Sequence, residues 1–126
     1  MERVKVYIAS PYSNGDKEDN VQLQMDATYQ LLIMGFNPYM PTYNHFIQKR
    51  HPDIDNNFPW LEIDKQWLKE CNILIRLHPK DNLDVEIPSP GADEEEAYAK
   101  ELGIPVFHFE TLSEMVRILQ TFDYYM

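Results

Sequence analysis

The stretch from Ile73 to Phe109, ILIRLHPKDNLDVEIPSPGADEEEAYAKELGIPVFHF, decides the fold. Its two ends, Ile73–Leu77 and Ile104–Phe109, are short apolar runs that predict buried strands. Between them a proline-punctuated loop, His78–Pro90, leads into a predicted helix over Gly91–Gly103. The expected inward stripe of this helix is Ala92, Ala99 and Leu102. A strand, a helix and a strand in this order are typical of an open parallel sheet with helices packed on it.

The same alternation continues along the rest of the chain. The further predicted elements are a strand at Val4–Ser10, a helix at Asn20–Gly35, a short strand at Asn37–Met40, a helix at Asn56–Cys71 and a helix at Thr111–Phe122. Thr111 and Glu114 form a capping-box pattern, and Pro41–Pro59 is irregular, with a helical piece. We therefore predict an α/β protein, a flavodoxin-like three-layer sandwich with a mostly parallel sheet of four to five strands.

Apolar periodicity also predicts which face each helix buries. The expected buried positions are Val21, Met25, Thr28, Leu32 and Gly35, with Ala27 and Leu31 beside them, in the first helix; Trp60, Ile63, Trp67, Leu68 and Cys71 in the helix before Ile73; and Leu112, Met115, Val116, Leu119 and Phe122 in the last.

Length and composition narrow the class of protein. The 126 residues predict a single domain over 1–126, and one Cys rules out an internal disulfide or a Cys-rich zinc module. No apolar run approaches the ~20 residues of a membrane span, and no signal-like segment opens the chain, so we expect a cytoplasmic protein. The net charge of −10 disfavours nucleic acid polymers and membranes as partners, and favours a small-molecule substrate.

Ligands of such sheets bind beyond the carboxyl ends of the strands, where the strand order reverses. In a flavodoxin-like order this point lies between the first and third strands. The loops at Ser10–Ser13 and Leu83–Gly91 should converge there. Neither a P-loop nor a GxGxxG motif is present, which disfavours an ATPase or a dinucleotide enzyme.

Asp64 falls on the apolar stripe of its predicted helix, four residues after Trp60 and three before Trp67. A carboxyl group among such side chains is desolvated, which raises its pKa and suits it to donate a proton. Periodicity alone favours the alternative, in which Asp64 lies solvated at the rim of the stripe or caps a neighbouring backbone.

The acidic run Asp93-Glu94-Glu95-Glu96 opens the following helix, where the helix dipole favours acids in any case. The inward stripe carries either Glu95 or Glu96 with it, and periodicity does not choose between them. We expect the inward carboxylate to stay ionised near the helix N-terminus, as a nucleophile must.

Ser89-Pro90-Gly91 precedes this run. Ser followed by Pro is typical of helix initiation. The same geometry offers free N–H groups to an anion, and Gly91 allows a ligand to approach closely. Both interpretations can hold together.

Two motifs carry a resemblance to a known family. The first is Ser-x-Gly-Ala-x-x-Glu-x-x-x-Ala at Ser89–Ala99, followed by Gly103-Ile104-Pro105-Val106, and the second is Asp-x-x-Trp-Leu at Asp64–Leu68. Together with VYIASPYS near the start, they make most of the chain resemble the nucleoside 2-deoxyribosyltransferase superfamily. That group includes the 2′-deoxynucleoside 5′-monophosphate N-glycosidases and bacterial and phage relatives.

The resemblance implies a role for individual residues. Glu95 would attack the sugar, Asp64 would assist departure of the base, and Tyr7 would hydrogen-bond the nucleophile. Ser10 and Ser89 match positions that hold a 5′-phosphate in the monophosphate glycosidases. The resemblance also implies a homo-oligomer whose neighbour helps to complete the site.

The sequence departs from the family pattern in three places. Asn72 stands where many relatives carry Asp, and Pro41–Pro59 has no counterpart. Pro11-Tyr12-Ser13 replaces the usual Arg-Gly-Gly, which removes a main anion donor. The need for a 5′-phosphate therefore stays open.

Other residues have less specific signals. Tyr12, Tyr43, Phe46 and Trp60 either stack on a base or fill core and rim. Arg76 pairs with Asp64, Glu95, a phosphate or a surface acid. We expect the terminal Tyr124 and Tyr125 to pack into a neighbouring subunit. The scattered histidines, which have no expected ligand role, are His45, His51, His78 and His108.

The expected function is cleavage or transfer of the N-glycosidic bond of a (deoxy)nucleoside or its 5′-monophosphate, with Glu95 as nucleophile and Asp64 as acid. Tyr7 assists the nucleophile, and Ser10, Tyr12, Ser89 and Gly91 bind substrate, with no metal or cofactor. The alternative is a non-catalytic nucleotide-binding or regulatory module on the same fold. An unrelated flavodoxin-like protein ranks last, because no FMN-type phosphate loop is visible.

Overall fold

Short β-branched and aromatic runs form the strands of the sheet, as their composition predicts. The computed structural model describes residues 2–54 and 57–121. The strands within these residues are β1 (Lys5–Ala9), β2 (Asn37–Tyr39), β3 (Ile73–Leu77) and β4 (Val106–Phe109). The helices are α1 (Lys17–Ile33), α2 (Tyr43–Arg50), α3 (Trp60–Leu68), α4 (Pro90–Glu101) and α5 (Leu112–Leu119). None of these helices is long and apolar enough to cross a membrane.

The strands form one sheet in the order β2-β1-β3-β4, and every neighbouring pair is parallel. Tyr7 at the centre of β1 lies opposite Tyr39 on one side and Leu74 on the other. The chain leaves β1 toward β2 and later returns to β3 on the opposite side of β1. The order therefore reverses between β1 and β3, and the flavodoxin-like prediction is confirmed.

Alternate residues of the strands face opposite layers of helices. Val6, Ile8 and Ile75 belong to the core cluster that includes residues of α1 and α5. Tyr7 and Leu74 point to the other side and pack with residues of α3 and α4. This alternation, which the period of a strand imposes, produces the predicted three-layer sandwich.

Two helix starts differ from the predicted ones. α1 begins at Lys17 rather than Asn20, because the Asp16 side chain accepts a hydrogen bond from the Asp19 amide at 3.0 Å and caps the helix earlier. α3 begins at Trp60, and the predicted start at Asn56 lies outside the described residues. The irregular segment between them contains the expected helical piece, which is α2.

The predicted face of α1 is rotated from the observed one, whereas α3 and α4 bury most of their predicted inward residues fully or partly. In α1 the buried residues are Asn20, Val21, Gln24, Ala27 and Leu31, whereas Met25 and Leu32 are each 45% exposed. In α3 and α4, Asp64 and Glu95 are buried on the predicted stripes, but Trp67 and Leu102, which were also predicted to face inward, are about half exposed. In α1 the cause is that Gln24 and Asn20, whose side chains hydrogen-bond groups of other segments, occupy inward positions. Leu102 lies just beyond the end of α4.

The last helix agrees more closely with its apolar pattern. Met115 and Leu119 are buried, and the Thr111 hydroxyl accepts a hydrogen bond from the Glu114 amide at 3.1 Å. The carboxylate of Glu114 returns to the amide of Glu110, one residue before the position of the usual capping box. The predicted contacts of Phe122, Tyr124 and Tyr125 lie outside the described residues.

Candidate active site

A cavity of about 250 Å³ opens where β1 and β3 end. Its wall comes from the segments that follow β1, β2 and β3 and from residues of α1, α2, α3 and α4. Six of the seven predicted site residues line it, namely Ser10, Tyr12, Asp64, Ser89, Gly91 and Glu95. The seventh, Tyr7, is fully buried and donates a hydrogen bond from its hydroxyl to Oε2 of Glu95.

Glu95 is the inward carboxyl group of α4, because it lies on the same face as Ala92 and Ala99, which pack against the sheet. Only 6% of Glu95 is exposed, and burial raises the pKa of its carboxyl group to about 8. The expectation that it stays ionised through the helix dipole is therefore wrong. Glu95 lies beyond the first turn of α4, where the dipole has little effect, and desolvation outweighs it.

Glu96 turns away from the cavity, which settles the choice that periodicity left open. Its carboxylate contacts Lys100 at 2.8 Å and Arg76 at 3.2 Å. Arg76 is itself only 3% exposed, and it also pairs with Asp93 at 2.9 Å. Of the alternatives for Arg76, the structure shows pairing with acids of α4 outside the cavity.

Asp64 is buried on the face of α3 that looks into the cavity, with 5% of its surface exposed. Burial raises the pKa of its carboxyl group to about 7, although the hydrogen bond from the Tyr39 hydroxyl at 3.0 Å opposes the rise. The interpretation of Asp64 as a solvated rim residue is therefore wrong. Tyr39 is held between the rings of Tyr7 and Trp67, at centroid distances of 5.5 and 5.6 Å.

Gln24 connects three parts of the cavity wall and was missed by the sequence argument. Its Nε2 donates to Ser10 Oγ at 2.8 Å and to the Ile8 carbonyl at 3.3 Å. Its Oε1 accepts from the Thr42 hydroxyl at 2.8 Å and from the Thr42 amide at 3.2 Å. Its position along α1 could have indicated burial, because Gln24 lies three residues from both Val21 and Ala27, which are also buried.

The loop after β1 is fastened to its neighbours by asparagine side chains. Asn20 donates to the carbonyls of Tyr12 and Asn14 at 2.9 and 2.7 Å, and Asn14 donates to the Pro88 carbonyl at 2.8 Å. The Tyr12 hydroxyl hydrogen-bonds His45 Nδ1 at 2.8 Å. The bond from Asn14 to Pro88 joins the segment after β1 to the loop before α4, the two loops that were predicted to converge.

The Ser89-Pro90-Gly91 segment starts α4 as predicted. The Ser89 hydroxyl accepts a hydrogen bond from the Ala92 amide at 3.2 Å. A Cβ on Gly91 would meet no atom within 4 Å. The protein's own packing therefore does not require glycine at this position, which lines the cavity.

The four aromatic residues considered for stacking separate into two groups. Tyr12 and Trp60 line the cavity. Tyr43 packs edge-on against Trp60 at 6.1 Å, and Phe46 is 45% exposed beside His45. Only the first two therefore stand in the cavity wall.

The histidines are less scattered than predicted, because His78 and His108 stack at 5.0 Å with a 2.8 Å contact between ring nitrogens. His45 lies within α2 rather than in a loop or strand. Among the described residues, no group of three or more His, Cys, Asp or Glu side chains is arranged to hold a metal ion. No Lys, Arg or His is among the described residues that line the cavity.

Comparison with known proteins places the fold in a class. No protein-family model and no curated protein matches this sequence. The chain has the α/β fold of the nucleoside 2-deoxyribosyltransferases, as the resemblance predicted. One solved structure with this fold is a 2-deoxyribosyltransferase from the psychrotolerant bacterium Bacillus psychrosaccharolyticus. The two share 20% sequence identity and a TM-score of 0.65, over 96% of this chain and 93% of that one.

Proposed function

We propose that this protein is an enzyme that cleaves or transfers the N-glycosidic bond of a nucleoside, with Glu95 as nucleophile and Asp64 as acid. One observation carries the proposal. Two carboxyl groups, each about 95% buried, line one cavity, and each accepts a hydrogen bond from a tyrosine hydroxyl. Neither has a cation as hydrogen-bond partner within residues 2–54 and 57–121. The shared fold with a 2-deoxyribosyltransferase supports it.

The first step starts from the form of the pair in which Glu95 has lost its proton and Asp64 holds one. A bond forms between a Glu95 carboxylate oxygen and C1′ of the sugar, while the bond from C1′ to the base nitrogen breaks. The electron pair of the broken bond leaves with the base, and Asp64 supplies the proton that neutralises it. Burial suits Asp64 to this role, because a carboxyl group with a pKa of about 7 still holds its proton near neutral pH.

The second step releases the sugar from Glu95. Asp64, now ionised, accepts a proton from the attacking water or from an N–H of an incoming base, as the reverse of the first step requires. Water gives free sugar, and a second base gives a new nucleoside. In both cases the Tyr7 hydroxyl hydrogen-bonds the carboxylate that leaves C1′.

The preferred substrate of this proposal carries no 5′-phosphate. The described cavity lining contains two carboxyl groups and no cationic side chain. Ser10 and Ser89, the positions considered for phosphate, already accept hydrogen bonds from Gln24 and from the Ala92 amide. A phosphate dianion would meet hydroxyl donors and no positive charge to balance it.

The test is incubation with a panel of 2′-deoxynucleosides, ribonucleosides and their 5′-monophosphates, with and without an added acceptor base. Products are identified by mass spectrometry. We expect free base or exchanged nucleoside from the wild type and a loss of at least ~100-fold in Glu95→Gln, because the amide cannot form the sugar ester. A 2′-fluoro nucleoside, which slows release of the sugar, should leave an adduct on the Glu95 peptide.

The matched control is Glu94→Gln, which removes a neighbouring carboxylate that pairs with Lys65 outside the cavity. It should keep wild-type turnover. Turnover that is equal in Glu95→Gln and the wild type would exclude Glu95 as nucleophile. Binding without turnover, equal in both proteins, would instead establish the non-catalytic binding module.

A further inference from the structure

Two polar atoms in the cavity wall have no hydrogen-bond partner among the described residues. One is Oδ1 of Asn44, a residue at the start of α2 of which 8% is exposed. The other is Nε1 of Trp60, the first residue of α3. One is an acceptor and the other a donor, and both residues line the cavity that holds Asp64 and Glu95.

Such atoms are uncommon because native proteins pair nearly all of their buried polar groups. One buried side-chain nitrogen in each of Arg76, His45 and His78 also has no hydrogen-bond partner. Each of these three side chains, however, lies within 3.3 Å of a carboxylate oxygen. Asn44 and Trp60, by contrast, take part in no ion pair among the described residues. Within the part of the chain that the structure describes, neither atom is satisfied, and a ligand in the cavity can satisfy both.

The wall that carries these two atoms is held in place by packing. Thr42, two residues before Asn44, is fixed through its hydroxyl and its amide to the buried Gln24. Tyr43, between them, packs edge-on against Trp60 at 6.1 Å and against Tyr39 at 6.0 Å. The donor and the acceptor are therefore preorganised, which reduces the entropy cost of binding a ligand.

Their position identifies the part of the substrate that they face. Trp60 precedes Asp64 by four residues on α3, so the two side chains are neighbours on one helix face. In the proposed reaction Asp64 protonates the base. The part of the substrate that lies next to Asp64 and Trp60 is then the base rather than the sugar.

We propose that Asn44 and Trp60 determine base specificity in this site. Asn44 Oδ1 accepts a hydrogen bond from an N–H of the base, and Trp60 Nε1 donates to a ring nitrogen or carbonyl oxygen on the same edge. The ligand class is a nucleobase with a donor and an acceptor side by side, of which the amino-bearing bases are the simplest case. This inference rests on the proposed function.

The experiment measures binding rather than turnover, so that it does not depend on catalysis. Titration calorimetry in the Glu95→Gln background compares 2′-deoxyadenosine with 2′-deoxynebularine, which lacks only the amino group, and 2′-deoxycytidine with its 4-deamino analogue. We expect the amino-bearing member of at least one pair to bind ~10-fold or more tightly. A site that hydrogen-bonds a substrate group rejects the analogue lacking it, because its buried polar atom stays unpaired.

Asn44→Leu keeps the side-chain size and removes the acceptor. It should bring the ratio of the two dissociation constants in that pair close to one. Trp60→Phe, which keeps an aromatic ring and removes the N–H, should weaken both members of the pair by a similar factor. Asn37→Leu on β2, outside the described cavity lining, is the matched control and should leave the ratio unchanged. Thermal unfolding of each variant shows that it is folded, and Trp60→Phe decides the case if Asn44→Leu does not fold.

A discrimination ratio that Asn44→Leu leaves at its original value would overturn the inference while the proposed function could still stand on its turnover test. The absence of binding by every nucleoside would overturn both. Turnover with no preference between the members of either pair would overturn the inference alone.

Discussion

At the scale of single residues, the site depends on the environment of two carboxyl groups. Each of Asp64 and Glu95 accepts a hydrogen bond from a phenol, and burial raises the pKa of both, to about 7 and about 8. The sequence predicted the residue types, and it predicted desolvation of Asp64 as one of two alternatives. It could not predict how far the pKa of each group rises, since that depends on how far each side chain is removed from water.

The two pKa values predict a narrow bell-shaped pH dependence of kcat/KM. The active form needs an ionised Glu95 and a protonated Asp64, so one proton must be bound between them. The pair holds one proton between about pH 7 and about pH 8, with both groups protonated below that range and both ionised above it. Only the tautomer that carries the proton on Asp64 is active, so the rate follows the population of the singly protonated pair. The measurement is a steady-state profile from pH 5 to 10.

Asp64→Asn provides the control for this profile, because it removes one of the two ionisations. Its residual rate should rise with pH and reach a plateau above about pH 8, where only Glu95 still titrates. A wild-type rate that stays constant from pH 5 to pH 7 would contradict the assignment of a high pKa to Glu95.

The burial of Glu95 also predicts how the stability of the fold depends on pH. A carboxyl group whose pKa rises from 4.5 to about 8 on folding stabilises the native state at low pH and loses that contribution as pH rises through 8. Glu95→Gln, which cannot ionise, should therefore be more stable than the wild type at pH 9, by on the order of 5 kcal/mol, and similar to it at pH 5. Urea unfolding at the two pH values measures this. Glu94→Gln should follow the wild type, and an equal stability difference at both pH values would show that ionisation of Glu95 is not the cause.

At the scale of helices and strands, the sequence predicted which elements exist better than which faces they bury. All four described strands and all five helices fall within or overlap predicted segments. The face of α1 was wrong because apolar periodicity counts Met25 and Leu32 as core, whereas the interior takes Gln24 and Asn20. These polar residues are buried because loop groups from other parts of the chain satisfy them, and no local pattern records such partners.

Gln24 therefore has a predictable contribution to stability. Gln24→Leu keeps a side chain of similar size but leaves the hydroxyls of Ser10 and Thr42 without their partner. We expect a loss of about 1–3 kcal/mol in the free energy of unfolding, because buried groups lose hydrogen bonds without gaining water. Chemical denaturation measures the loss, and Gln22→Leu on the exposed face of the same helix should change stability by less than ~0.5 kcal/mol. Equal effects of the two substitutions would show that the Gln24 bonds contribute little.

At the scale of the whole molecule, the topology brings together residues that lie far apart in the chain. The reversal of strand order between β1 and β3 places the β1 loop beside the start of α4, and this could be predicted from the alternation of elements. The contribution of α2 to the cavity wall could not be predicted, because Pro41–Pro59 has neither clear periodicity nor a family counterpart. The homo-oligomer stays a prediction, which the molar mass from light scattering would check.

The charge of the molecule as a whole argues for a substrate without a phosphate group. The formal net charge is −10, which includes the two cavity carboxyl groups, and the described cavity lining contains no cationic side chain. We expect kcat/KM for a 2′-deoxynucleoside to exceed that for its 5′-monophosphate by at least ~10-fold, because a dianion is repelled on approach and poorly compensated when bound. Parallel assays of the two substrates measure the ratio.

Raising the salt concentration should lower the ratio of the two kcat/KM values but leave it above one, because salt screens the long-range repulsion but not the contacts inside the cavity.

Ser13 lines the cavity and is exposed, and it lies where the usual Arg-Gly-Gly segment is replaced. Ser13→Arg should therefore improve use of the monophosphate more than use of the nucleoside, whereas Ser13→Gln, a polar control of no charge, should not. A wild-type preference for the monophosphate would instead assign Ser10 and Ser89 to phosphate, because their hydroxyls can still donate while their oxygens accept from Gln24 and from the Ala92 amide.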